Sequence, residues 1–262
     1  MPVKTPPTSP VKTTPPPPAI RPLRPKDYPV KASQVIVIDF EGYKDQPPVF
    51  AGVWEDGHFR VVILDVRFKA LVKLGHPFVK YQSIKRFLSR MHRRALLHQK
   101  YLVGYSEHEA KVFADCYGDI SEVYLNARKP LSRWFTLNDR ENRPNPFGLK
   151  DLMKYFEYKA YKEYPHQGVT TVLTQVLNLL NNHEGDVQHL TPLAASRWKE
   201  LLDYNKQDVL GLMYVMKRAK ILAFYPLTIP ARGPNRLPLI DEKSIDRDSS
   251  PHFKTYTNTI SF

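Results

Sequence analysis

The spacing of apolar and polar positions changes period several times between residues 34 and 220. Val35-Ile36-Val37-Ile38-Asp39 is a β-branched apolar run ending in an acid, the pattern of a strand covered on both faces. Val49–Trp54 and Phe59–Leu64 are two further β-rich runs, separated by Glu55-Asp56-Gly57-His58. An Asp-Gly pair in that setting predicts a tight hairpin. From about Gln82 to Leu97 the period becomes helical, with Ile84, Phe87, Leu88 and Met91 on one stripe. Tyr101–Tyr105 predicts a fourth strand, Glu107 to Tyr117 a helix, and Val123-Tyr124-Leu125 a short strand. The remainder is helical. Leu149, Leu152, Met153 and Phe156 share one face, as do Val169, Val172, Leu173, Val176, Leu177 and Leu180; a last long helix runs from about Ala194 to Lys220. Three leading strands followed by alternating helices and strands predict an α/β fold, a central mixed sheet flanked by helices.

Composition sets the ends apart from this core. Residues 1–32 hold 11 of the 24 prolines and a single acid, Asp27, which predicts a disordered or polyproline II basic arm. Residues 33–225 form the expected domain, and 226–262 a Pro- and Ser-rich C-terminal extension without sustained period. No apolar run approaches the ~18 residues of a membrane span, and residues 1–32 have no hydrophobic signal-like core. With Cys116 as the sole cysteine, no intramolecular disulfide is possible, and an intracellular location is expected. Cys116 itself reads as a small buried hydrophobe.

Two acidic motifs carry the candidate chemistry. In Asp39-Phe40-Glu41 the acids sit at i and i+2 of a strand, so their carboxylates project to one face. Phe40 points to the other face, as a core residue. In Tyr204-Asn205-Lys206-Gln207-Asp208, Tyr204 and Asp208 stack at i and i+4 of a helix. They lie on the stripe Leu201, Tyr204, Asp208, Leu212, Val215, which is otherwise apolar. An aspartate there needs either a cation or a basic partner. Carboxylates converging from a strand and a helix suit hard divalent cations. A third acid is expected after the fourth strand: Glu109 in the first turn of the next helix, with Glu107 and Asp115 as alternatives. Val112 and Phe113 follow Glu109 at core-facing spacing.

Ordered in this way, DxE, a carboxylate after a central strand and YxxxD on the last helix resemble the DEDD superfamily of 3′–5′ exonucleases, in its DEDDy branch. Tyr204-Asn205-Lys206-Gln207-Asp208-Val209 is similar to that branch's third motif. Pro146-Phe147-Gly148-Leu149-Lys150-Asp151-Leu152 resembles a segment of predicted exonucleases in which a Leu-Lys pair opens a helix. The second motif departs from the family's Asn followed by Phe-Asp: this chain has Tyr105-Ser106-Glu107-His108-Glu109. The resemblance covers roughly residues 34–220 and implies a ribonuclease H-like fold. It implies hydrolysis of a nucleic acid, DNA or RNA, from its 3′ end with two Mg²⁺ or Mn²⁺ ions, releasing nucleoside 5′-monophosphates. Asp39 would bridge the ions, Glu41 and Asp208 would complete one site, and Glu109 would hold the second ion through water. Tyr204 would orient the attacking water, because a free tyrosine is too weak a base near neutrality.

The charge supports a polyanionic partner. Net charge is +13, and Val66 to Ser106 carries ten Lys and Arg without one Asp or Glu. In the amphipathic segment Lys85, Arg86, Arg90, Arg93 and Arg94 lie largely opposite the apolar stripe, a face suited to phosphates. No zinc spacing appears among the histidines, and no P-loop motif is present. Two rival readings remain open: a catalytically inactive nucleic-acid-binding module on the same fold, and an adaptor that recruits a protein partner through its Pro-rich arm.

Overall fold

The computed structural model describes residues 29–163 and 168–223. The expected arm lies outside the described residues except for 29–32, and the expected extension 226–262 lies wholly outside them. Along the chain run β1 (Val30–Lys31), β2 (Val35–Glu41), β3 (Phe50–Glu55), β4 (His58–Ile63), β5 (Val79–Tyr81), α1 (Ile84–Leu97), β6 (Tyr101–Gly104) and α2 (His108–Cys116). Then come β7 (Tyr124–Asn126), α3 (Arg128–Asn138), α4 (Leu149–Tyr155), α5 (Val169–Asn182), α6 (Pro192–Arg218) and β8 (Leu222–Ala223).

Six strands form one sheet in the order β5-β4-β3-β2-β6-β7. β3 is antiparallel to both neighbours, and the other pairings are parallel. The chain is therefore α/β, a mixed sheet flanked by helices, with an order compatible with a ribonuclease H-like fold. The hairpin between β3 and β4 turns on Asp56 and Gly57, both with positive φ (49° and 86°). That is the backbone of a two-residue turn matched to the strand twist. β5 was not expected: three residues between Pro77 and Gln82 are too few to display a period, yet they add a parallel edge to β4. β1 and β8 form a separate parallel pair, Val30 opposite Leu222, and Val30 is buried.

Alternation along β2 divides the core. Ile36, Ile38 and Phe40 pack with Phe87, Leu88 and Met91 of α1 and with Val112 and Phe113 of α2. Phe40 meets Phe87 and Phe113 edge-on, as a core residue should. Val35 and Val37 face the other way, onto the C-terminal half of α6, with α3 and α4 behind it. The N-terminal half of α6 packs through Trp198, Leu201 and Leu202 against α5 and the end of the β3–β4 hairpin. Thr191 caps α6, its hydroxyl accepting from the Ala194 N–H at 3.2 Å, and Pro192 follows in the first turn. From Asn205 to Met216 almost every side chain of α6 is buried. It is a central helix, so a polar residue placed on it is held rigidly.

Part of the basic run is neutralised from outside itself. Glu55, only 2% exposed, accepts from Arg94 Nε at 2.7 Å and Lys100 Nζ at 2.9 Å, and lies 3.6 Å from Arg60. Asp56 takes a second Lys100 bond at 2.5 Å. Burial opposes ionisation of Glu55, but the Arg94 and Lys100 hydrogen bonds outweigh it and hold its pKa below the ordinary value. Glu55→Ala leaves the buried Lys100 ammonium with Asp56 alone and removes the carboxylate shared by two part-exposed guanidiniums. It is expected to cost about 3–5 kcal/mol, read as a lowered urea midpoint at unchanged slope; a loss below 1 kcal/mol would show the network to be dispensable.

Candidate metal centre

The strand and the helix meet where β3 supplies no side chain. Asp39 lies opposite Gly52 in the β2–β3 register. A Cβ built on Gly52 would sit 1.9 Å from Asn205 Oδ1. The absence of that carbon lets α6 lie close on the sheet, with Asn205 fully buried. Asn205 Nδ2 donates to Asp39 Oδ2 at 2.7 Å and to the Asp39 carbonyl at 3.3 Å. That bond fixes the carboxylate at the end of β2, and Glu41 projects on the same face two residues on.

Asp39, Glu41 and Asp208 each offer an oxygen within 4.8 Å of the other two. Asp208 is 8% exposed, and its Oδ1 is buried with no hydrogen-bond partner. Tyr204, one turn earlier, donates to Asp208. The Lys150 ammonium lies 4.5 Å above the Tyr204 ring. Its charge also acts on Glu41 and Asp208. Lys150 enters from the first turn of α4, which packs on α6.

Glu109 is buried in the first turn of α2, 4% exposed, and its charge acts on both Asp39 and Glu41. It stands outside the group of three. Its Oε2 accepts from the Ser106 N–H at 3.3 Å and lies 3.2 Å from the Tyr124 hydroxyl, which also contacts the Ser106 carbonyl. A Cβ on Gly104 would meet Glu109 Oε2 at 2.5 Å, so the end of β6 must be bare to admit this carboxylate. The two alternatives lie elsewhere. Glu107 is exposed and paired with Lys129 at 2.8 Å, beside a separate cleft of about 600 Å³. Asp115 is exposed on α2.

No family model matches the chain, and no curated protein matches it.

Burial dominates the electrostatics. It pushes Asp39 well above the ordinary carboxylate range, with Glu41, Asp208 and Glu109 adding repulsion against the Asn205 bond. Glu41 rises to about 8 through burial and Asp208, opposed by Lys150. Asp208 rises to about 6 through burial, opposed by Lys150 and the Tyr204 hydrogen bond. Burial also raises Glu109, against bonds from backbone N–H groups and Tyr124. The Tyr204 phenol is raised by burial and then by Asp208 and Glu41, so it stays protonated near neutrality.

The expected residues Asp39, Glu41, Tyr204 and Asp208 come together here, with Glu109 adjoining them. Lys85, Arg86, Arg90, Arg93 and Arg94 do not join them: α1 covers the other face of the sheet. Asn205, Lys150, Tyr124, Gly52 and Gly104 were not among the candidate side chains. The glycines did leave a signal, since one inside a strand pattern marks a close approach.

These shifts fix a pH dependence. A carboxyl whose pKa is higher folded than unfolded binds protons preferentially in the native state. Its contribution is therefore most favourable below the unfolded pKa and declines until the pH passes the folded value. For Glu41 the window runs from about 4.5 to about 8. In EDTA the Tm is expected to fall as pH rises through that window. Mn²⁺ should restore it most at the alkaline end, by titrating against the ionised carboxylates. Asp208→Asn is expected to stabilise the metal-free protein at pH 8 by on the order of 1–3 kcal/mol and to lose most of the Mn²⁺ effect. A flat metal-free profile would refute the cluster's coupling.

Proposed function

We propose that the chain is a metal-dependent nuclease, a 3′–5′ exonuclease that releases nucleoside 5′-monophosphates. The observation carrying this reading is the convergence of Asp39, Glu41 and Asp208 at a partly buried site, with Asp208 Oδ1 facing no donor. Three acids placed so close and partly shielded from water are unfavourable unless positive charge neutralises them. Lys150 supplies part of that charge from a distance. The all-oxygen donor set suits Mg²⁺ or Mn²⁺ rather than a softer ion.

Asp39, Glu41 and Asp208 would hold such an ion directly, and Glu109 would serve a second one through water. A bound ion of this kind polarises a phosphoryl oxygen and lowers the pKa of a coordinated water. The remaining work falls to the chain's own side chains. Asn205 keeps the Asp39 carboxylate in place. The Tyr204 hydroxyl donates a hydrogen bond to Asp208 and keeps its proton, which leaves its oxygen lone pairs to accept from a water and orient it. Lys150, at the rim above Tyr204, is placed to pair with a phosphate oxygen of the substrate. The net charge of +13 favours a polyanionic substrate.

The deciding experiment is digestion of 5′-labelled single-stranded DNA and RNA oligonucleotides with Mg²⁺, Mn²⁺ or EDTA, beside Asp39→Asn and Asp208→Asn. A metal-dependent ladder shortening from the 3′ end, lost in both variants, is the expected result. Retained, salt-sensitive binding without cleavage would replace this reading with an inactive binding module. Lys150→Ala is expected to slow single-turnover cleavage by about 10²-fold while Mn²⁺ affinity, measured calorimetrically, stays within a few-fold. Unchanged cleavage would remove Lys150 from the site.

A further inference from the structure

We infer that the outer face of α1, extended by Arg60 of β4, is a second nucleic-acid-binding surface on the side of the sheet away from the carboxylates. Its ligand class rests on the nucleic-acid reading above, but it needs no catalysis. α1 is amphipathic, with Phe87, Leu88, Met91 and Ala95 buried and no acid along its length. Lys85, Arg90 and Arg93 are exposed, and none forms an ion pair among the described residues. Arg86, Arg90 and Arg93 follow one another at i, i+4 and i+7, a stripe along the helix.

A separate element adds to the stripe. Arg60 of β4 reaches Met91 of α1, its Nη2 3.8 Å from the sulfur. It also lies 3.6 Å from Glu55, the carboxylate that holds Arg94 at 2.7 Å. One buried acid thus gathers two guanidiniums, each about 30% exposed, with the charge of Arg90 close enough to act on Arg60. Glu55 and Asp56 face Arg60, Arg94 and Lys100, so the group keeps a net positive charge before Arg90 is counted. Glu55 and Asp56 offset only part of that charge, so a further anion against the group is favoured. Guanidiniums in a row suit repeated phosphates in particular. Asp115 of α2 and Glu122, which bonds His92, bound the patch on one side.

A lipid surface fits less well. Leu97, at the end of α1, is the one large apolar side chain strongly exposed on this helix, too little to enter a bilayer. The placement also sets a length. Glu55 pairs with Ile36, five residues along β2 from Glu41, or about 17 Å, and on the opposite face. A strand touching both surfaces must pass around the sheet. Its path must exceed that offset of about 17 Å along β2, so a short oligonucleotide reaches one surface only. The α1 face would therefore set affinity for long chains and leave short ones to the carboxylates.

The test is fluorescence anisotropy of a labelled single-stranded 20-mer with the full chain in EDTA, over a salt series. Arg90→Glu/Arg93→Glu is compared with Lys73→Glu/Lys199→Glu, which changes net charge equally elsewhere. The α1 variant is expected to bind at least about 10-fold more weakly and to lose about one to two units of the log K against log salt slope. The charge control should stay within a few-fold of wild type. Equal losses in the α1 variant and the charge control would reduce the effect to net charge and overturn the surface. So would wild-type binding by the α1 variant, or no binding by any form. Cosedimentation with phosphatidylserine vesicles that depends on Arg90 and Arg93, with 20-mer affinity unchanged, would reassign the face to a membrane. Because EDTA suppresses cleavage, an inactive carboxylate cluster with Arg90-dependent binding would end the exonuclease reading and leave this one standing.

Discussion

The candidate centre depends on one close approach, α6 against β3 at Gly52. The strand gives up a side chain there, and Asn205 enters the gap to bond Asp39. That contact joins residues 166 positions apart and sets Tyr204 and Asp208 over the end of β2. The buried apolar positions of α6 around it, Trp198, Leu201, Leu202, Val209, Leu212, Val215 and Met216, hold the helix at that depth. Each such burial contributes roughly 1.5–3 kcal/mol, so the polar pair is carried by packing on either side of it.

The same packing sustains an electrostatic tension. Asp39, Glu41 and Asp208 repel one another in a partly buried setting, and a collapse that hid them further would raise the cost. Glycine and asparagine fix distance where a more adaptable contact would let the carboxylates separate. Glu109 is handled differently: the Ser106 N–H and the Tyr124 hydroxyl satisfy it locally, and Gly104 makes room for it. Three acids of the centre thus face one another, while the fourth is turned to its own local donors.

The fold was legible where periods were long. The β2 run, the Asp-Gly hairpin, α1, α5 and α6 all announce themselves through alternation or 3.6-residue spacing. β5 and the β1–β8 pair did not, because two or three residues carry no period and their pairing is decided by distant strands. In the centre, the acids were visible as polar interruptions of apolar faces. Asn205 was not, since an asparagine beside YxxxD reads as an ordinary helical polar residue until its fit against Gly52 is seen. The long acid-free run looked like one continuous belt. In three dimensions the hairpin turn brings Glu55 and Asp56 to it, and Arg94 and Lys100 become part of the domain's own framework.

The smallest element has a topological consequence. Val30 and Leu222 are paired across β1 and β8, so the first and last strands among the described residues run side by side in the same direction. Neighbouring strands sit about 4.8 Å apart, and everything between them forms one loop closed on itself. A polypeptide could therefore be spliced in at this seam, or its ends rejoined and reopened elsewhere, with little change to the sheet.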